Sequence, residues 1–515
     1  MRSIPILLLF ICSLCGLAVA QKKNTIEERL EGVDKELTKV LKTWDAAGFA
    51  VAVVEKNKIV YAKGFGFRDY ENKLPVTPQT LFAIGSCSKS FTTSLLGILR
   101  EEGKLKLTDS PRDYIPELKF NTNELNNLVT IKDMMSHRTG LPRHDLSWYW
   151  FSTYSKDSLI KRIQYQPPFA EVREKWYYNN FMYLAQGVIA ERITGKTWEE
   201  NVREKLFVPL QMSTSNLSID ELEKSNEPAI GYRVSDGKIE KMDYYHIAGM
   251  APAGSINSSV SEMGNWVITW INGGKFQGKQ IVPKDFVKEA MSSQMVVNSG
   301  IPDKEFPELH LSNYGYGWFL SSYKGHFRVE HGGNINGFSA STSFYPTDSV
   351  GIIVLANQNG SSVPGVVRNI ISDRILKAEK TNWDKLLKKR REEAIKKQKR
   401  AKKDEEENTN TGLPSHGIAN YSGDYFHPGY GNIKVVEKAG DLFAELPQYN
   451  YLLHHVRFDV FELYEVKDGE DPDTSEDGIM TFNFQTNTKG EISGLDVKIE
   501  VAIDPITFNR IVPKD

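Results

Sequence analysis

Cysteine is nearly absent from this chain, with 3 among 515 residues. Two of them, Cys12 and Cys15, fall in Met1 to Ala20, where Arg2 precedes an apolar stretch from Ile4 to Val19 and Ala18-Val19-Ala20 ends before Gln21. This pattern predicts a secretory signal over 1–20, cleaved after Ala20, and therefore an exported protein, periplasmic or secreted. The mature chain would keep Cys87 alone, which excludes an intramolecular disulfide in a compartment that permits one. The apolar stretch is short beside the roughly 20 residues of a bilayer span, so membrane contact is expected only if the signal stays uncleaved. Neither Cys12 nor Cys15 follows the small residue of a lipoprotein signal.

Strong charge of one sign is also missing. A formal net charge of -2 gives no general attraction to nucleic acid or to anionic membrane. Metal-ligand spacing is lacking as well: His137 and His144 have no Cys or further His to complete a recognisable set, so both are expected to be structural and no metal site is predicted. The composition, 40% hydrophobic and 25% charged, is that of a folded chain, long enough for a large core and at least one further domain.

What the chain does have is Ser86-Cys87-Ser88-Lys89 at the start of a predicted helix over 86–102, whose Phe91, Leu95, Ile98 and Leu99 share a face. Residues i and i+3 lie on one side of a helix, so Lys89 reaches the Ser86 hydroxyl. Ser86 itself sits among free N–H groups and the positive dipole end, which favour developing negative charge. A serine needs a neighbour to take its proton, and a neutral lysine can do so if burial or nearby positive charge lowers its pKa. Cys87, one position on, points elsewhere on the helix and is read as packing.

Two further polar signals follow. In Trp176-Tyr177-Tyr178-Asn179-Asn180, either Tyr177 with Asn179 or Tyr178 with Asn180 makes a Tyr-x-Asn, and the bare pattern does not choose. A strand from Phe327 runs into His331-Gly332-Gly333-Asn334, where paired glycines allow close backbone approach and a following N–H can face an anion. Around these, the chain predicts an amphipathic helix over 25–43, a hairpin of Gly48 to Glu55 and Ile59 to Gly66, and a helix ending at Gly195. It also predicts a capping box at Ser259 and Glu262, a hairpin around Pro346 to Ser349, and a closing helix from Val366 to Leu376.

Residues from about 30 to 376 thus resemble the serine β-lactamase and penicillin-binding-protein-like hydrolases, in the branch with class C β-lactamases, D-aminopeptidases, D,D-carboxypeptidases and related esterases. Ser86-x-x-Lys89, Tyr-x-Asn and His331-x-Gly333 stand in that family's order. Its spacing of a second Tyr and a Gly, met by Tyr183 and Gly187, selects Tyr178 and Asn180. The resemblance implies an α+β fold: an antiparallel sheet flanked by helices with an all-helical subdomain, residues 25–376. It implies an acyl-enzyme on Ser86, with Lys89 and Tyr178 as catalytic proton carriers and no metal or organic cofactor. Asn180, His331, Gly333 and Asn334 would bind substrate, with the N–H groups of Ser86 and Asn334 as oxyanion hole. The loops Trp148 to Tyr154 and Asp243 to Gly254 are expected to line the pocket. β-Lactamases usually carry Lys-Thr-Gly where this chain has His331-Gly332-Gly333, a variant more like the peptidases and esterases.

Residues 377–413 follow as a charged helical linker, with 13 Lys or Arg against 8 Asp or Glu up to residue 407. Residues 414–515 alternate short β-rich runs with turns, predicting a small all-β barrel that resembles the lipocalin-like domain often appended to such hydrolases. The sequence reading is a hydrolase acting on a small-molecule or peptide substrate, an ester or amide such as a D-amino-acid peptide. The alternatives are a catalytically silent peptide- or cell-wall-binding protein, or a true β-lactamase.

Overall fold

The run from Gly48 to Val54 is apolar throughout, as suits a strand covered on both faces. In the computed structural model, which describes residues 25–512 except 236, 299, 408–411, 467–471, 473 and 475–477, this run lies near the middle of a large sheet. The predicted signal at 1–20 falls outside the described residues. Strands β1 (Gly48–Glu55), β2 (Lys58–Asp69) and β3 (Leu74–Pro75) join β4 (Met295–Asn298), β5 (Ser312–Tyr314), β6 (Phe319–Tyr323), β7 (His326–Ile335), β8 (Phe338–Tyr345) and β9 (Val350–Ala356). The sheet is antiparallel, in the order β4-β5-β6-β7-β8-β9-β1-β2-β3. Alternation along β1 sends Ala50, Ala52 and Val54 into one core and Phe49, Val51 and Val53 into another.

Among the helices that position the rest are α1 (Ile26–Arg29), α2 (Val33–Thr43), α3 (Lys89–Glu101), α4 (Phe181–Thr194), α5 (Val260–Ile271), α6 (Val363–Ile375) and α7 (Trp383–Glu407). The single helix expected over 25–43 is broken at Gly32, whose φ of 76 lies in the left-handed region open to glycine. Helices α1, α2 and α6 cover one face of the sheet. Helices α3, α4 and α5, with shorter helices between β3 and β4, form the all-helical layer on the other.

Helix α3 differs from the one-faced expectation, for every residue from Lys89 to Gly97 is buried. Its hydroxyls survive burial by donating to backbone carbonyls, Ser90 to Cys87, Thr92 to Pro252 and Ser94 to Ser90. The capping box at Ser259 is half made. Ser259 accepts from the Glu262 N–H, but the Glu262 carboxylate turns to the N–H groups of Thr214 and Ser215.

Helix α7 begins inside the core rather than as a solvated linker: Trp383 donates to Asp373 at 2.7 Å and Asp384 accepts from Trp44 at 2.9 Å. Beyond it, eight strands from Gly423–His427 to Ile506–Arg510 form a closed antiparallel barrel, Tyr425 and Phe426 of the first pairing with Arg510 and Asn509 of the last. The barrel core takes in Trp150 and Phe151 from the helical layer, so the two units share an apolar seam.

Candidate active site

Ser86 lies in a 3₁₀ turn (Gly85–Ser88) that leads directly into α3, so the helix proper begins at Lys89. Lys89 is fully buried, its Nζ 3.1 Å from Ser86 Oγ, 2.7 Å from Asn180 Oδ1 and 2.7 Å from the Ala253 carbonyl oxygen. Burial, helped by the Arg143 charge, lowers its pKa well below that of an ordinary lysine. A neutral amine has two N–H groups and one lone pair. Asn180 and Ala253 take the two N–H groups, which leaves the lone pair to accept the Ser86 proton.

Tyr178 and Asn180 stand just before α4, and the fold brings both to Lys89. The Tyr178 ring lies 4.7 Å from Lys89 Nζ and 4.8 Å from the Arg143 guanidinium. Its hydroxyl is buried without a hydrogen-bond partner of ordinary geometry among the described residues, although Ser86 lies near enough to pull its pKa down. Burial outweighs that pull and holds the phenol above its usual pKa, so burial disfavours the charged form of Tyr178 as it does that of Lys89. Asn180 is oriented by donating to Asp145 at 2.9 Å, which turns its carbonyl to Lys89. The alternative pair does other work: Asn179 donates to the Pro142 carbonyl and accepts from the Met182 N–H.

Strand β7 closes on Ser86 from the sheet side. A Cβ at Gly333 would come within 1.9 Å of the Ile84 carbonyl oxygen, so only glycine lets the strand approach this far. Gly85 is held at φ 51, and a Cβ there would meet the Asn334 N at 2.9 Å, which places that N–H beside the Ser86 turn.

His331, expected among the substrate-binding residues, is not on the cavity wall. It is buried, its Nδ1 2.6 Å from the Gly332 carbonyl oxygen and its Nε2 3.1 Å from the Tyr314 hydroxyl. Burial lowers its pKa to about 3, so the ring is neutral and cannot offer charge to a carboxylate. At Gly333 it is the absence of a side chain that lets β7 approach the turn.

A cavity of about 360 Å³ opens in front of Ser86. Ser86, Asn180 and Asn334 line it, together with Trp148, Tyr149, Tyr245 and Ile247 from the two loops the sequence points to. Sequence reasoning missed Arg143 and Asp145, which form an ion pair at 2.6 Å on the wall, and Asn336 beyond β7. The charged Arg143-His144-Asp145 after the turn Gly140-Leu141-Pro142 was the available signal.

His137 packs its ring 4.3 Å from that of Tyr178, while His144 Nδ1 lies 2.7 Å from the Tyr430 hydroxyl of the barrel. Among the described residues no group of three His, Cys, Asp or Glu side chains converges as a metal site would. Cys87 is buried beside β7, where its Sγ donates to the His331 carbonyl and burial pushes the thiol up to about 12.

The nine-stranded sheet, helical layer and Ser-x-x-Lys turn define the fold class of penicillin-binding proteins and their hydrolase relatives. The chain belongs to the beta-lactamase family, whose pattern matches residues 33–376; residues 407–510 match a domain of unknown function, DUF3471. Unguisins hydrolase ungD from Aspergillus violaceofuscus is 25% identical over 445 residues, covering 79% of this chain and 76% of its own. Protein flp from Staphylococcus aureus is 26% identical over 330 residues, covering 63% and 62%. The octameric penicillin-binding protein homologue from Pyrococcus abyssi shares the fold with a TM-score of 0.62 at 20% identity, over 93% of this chain and 99% of that one. D-amino acid amidase from Ochrobactrum anthropi SV3 does so at 0.55 and 21% identity, over 67% and 97%.

Proposed function

We propose that this chain is an exported serine hydrolase that carries the acyl group of an ester or amide on Ser86 and delivers it to water. Ser86 Oγ attacks the carbonyl carbon as its proton passes to Lys89 Nζ, and the carbonyl electrons move onto an oxygen held by the N–H groups of Ser86 and Asn334. The bond to the leaving group then breaks, and Tyr178 hands that group a proton replaced from Lys89. Water attacks the acyl-enzyme by the reverse relay. Asn180 orients Lys89 and faces the substrate. Export rests on the Met1 to Ala20 pattern alone.

The observation that carries this reading is the buried Lys89 amine, its Nζ 3.1 Å from Ser86 Oγ and held by Asn180 Oδ1 and the Ala253 carbonyl oxygen at 2.7 Å each. The hydrolase named among the curated relatives supports the same class. A β-lactamase is favoured less: among the described residues the cation on the cavity wall is Arg143, already paired with Asp145, and His331 is neutral behind it. The test is intact mass after treatment with a fluorophosphonate, beside Ser86→Ala. One adduct on the natural chain, absent from the variant, is expected; no adduct on a folded natural chain would move the assignment to a silent binding protein.

A further inference from the structure

The cavity wall opposite Ser86 comes from residues 143–149, and this segment belongs to the barrel as much as to the hydrolase. The backbone N–H of His144 donates to Glu500 at 2.6 Å and the Ser147 hydroxyl to the Gly429 carbonyl at 2.5 Å. Trp150 packs with its ring tilted 5.6 Å from that of Tyr451, and Phe151 packs at 6.1 Å from Phe508. Between these anchors stands Tyr149, which lines the cavity.

The Tyr149 ring is held in a stack of three, with Tyr245 of the hydrolase at 4.7 Å and Tyr449 of the barrel at 5.7 Å. Its hydroxyl donates to Asn336 at 2.9 Å, just past the end of β7. Trp148 stands edge-on to the stack, and Leu146, Ile247 and Ile335 complete an apolar surface. Tyr449 does not line the cavity. It sits in the turn before the barrel strand Asn450–Arg457, beside Gln448, whose amide donates to Ser152 at 2.8 Å. Stacked rings prefer such offset contacts and are attracted beyond the area they bury.

We infer that the barrel sets substrate selectivity: through Tyr449 it fixes Tyr149 as one wall of a subsite for a bulky aromatic or branched apolar group next to the scissile carbonyl. The inference rests on the acyl-transfer reading of Ser86. Tyr449 is a positioning residue, acting through Tyr149, while Tyr149, Trp148 and Tyr245 make the contact. A short acyl group leaves this wall untouched and is indifferent to it.

The experiment compares the natural full-length chain with Tyr449→Ala and Tyr449→Phe on two p-nitrophenyl esters, the phenylacetate and the acetate, with fluorophosphonate labelling of Ser86 in parallel. Tyr449→Ala is expected to lower kcat/KM for the phenylacetate by up to about tenfold, through KM, since one lost stack approaches a factor of ten. The acetate rate and the labelling rate should change less than about twofold, and Tyr449→Phe, which keeps the ring, should restore the phenylacetate rate. If Tyr449→Ala does not fold, Tyr449→Leu, which keeps bulk and loses the ring, takes its place. An equal fall on both esters, or no change on either, overturns the selectivity role. Absence of labelling on the natural chain overturns the acyl-transfer reading instead.

Discussion

Lys89 is a lysine with no carboxylate against it among the described residues, and burial disfavours its charged form. Asp145, the nearest acid in its surroundings, is engaged by Arg143, Asn180 and Trp148. The sign of the pH dependence follows. Lys89 works as a base when unprotonated, so kcat/KM should fall as pH drops through its lowered pKa, giving an acid limb well below the ordinary lysine range. Lys89→Ala should lose about 100-fold to 10,000-fold in kcat/KM. A pH profile of ester hydrolysis checks both statements: an acid limb near pH 10, or a Lys89→Ala enzyme at full rate, would contradict the base assignment. Tyr178 has no hydrogen-bond partner of ordinary geometry for its hydroxyl among the described residues, as the proposed proton delivery to a leaving group needs.

At the scale of elements, the decisive contact is β7 against the turn before α3. Two backbones meet there, and Gly333 and Gly85 are the positions where a side chain cannot intervene. Gly333→Ala would set its Cβ against the Ile84 carbonyl and 3.1 Å from the Ser86 N, forcing strand and turn apart. Since removing one oxyanion donor costs about 100-fold to 1000-fold, the expected result is a loss of that order in kcat with the fold retained. Circular dichroism beside steady-state rates tests this, and an unimpaired Gly333→Ala enzyme would mean that β7 does not shape the oxyanion site. The Ser-x-x-Lys was legible in the sequence because its geometry is local, three positions along one helical turn. His331 was not, because whether a histidine within a strand faces a cleft or packs behind it depends on Tyr314 of β5, which sequence spacing does not reveal.

For the whole molecule, the seam between hydrolase and barrel carries two histidines held neutral. Burial lowers both His144 and His427 to about 4, below the ordinary 6.5. A depressed histidine contributes stability that is complete above pH 6.5 and is lost as pH falls toward 4. His144 faces Tyr430 and the Pro167 carbonyl, with Asp145 and Glu500 close by. Glu500 works against the trend, since burial raises its pKa and acid relieves its charge, but it is one group against two. Thermal melts should therefore drop by a few degrees between pH 7 and pH 5, less in His427→Gln. A flat melting temperature over that range would show that the seam does not titrate. The sequence by itself determined the family and the all-β end of the chain, because these rest on local periodicity and fixed motif order; it also put forward Ser86, Lys89 and Tyr178, the last through family spacing, as the residues for experiment to test. Only the tertiary structure decided that α3 is buried on every side, that His331 lies behind the cavity, and that the barrel holds the Tyr149 wall. Each of those depends on which distant surfaces meet, and burial, not spacing, sets the charge of the groups between them.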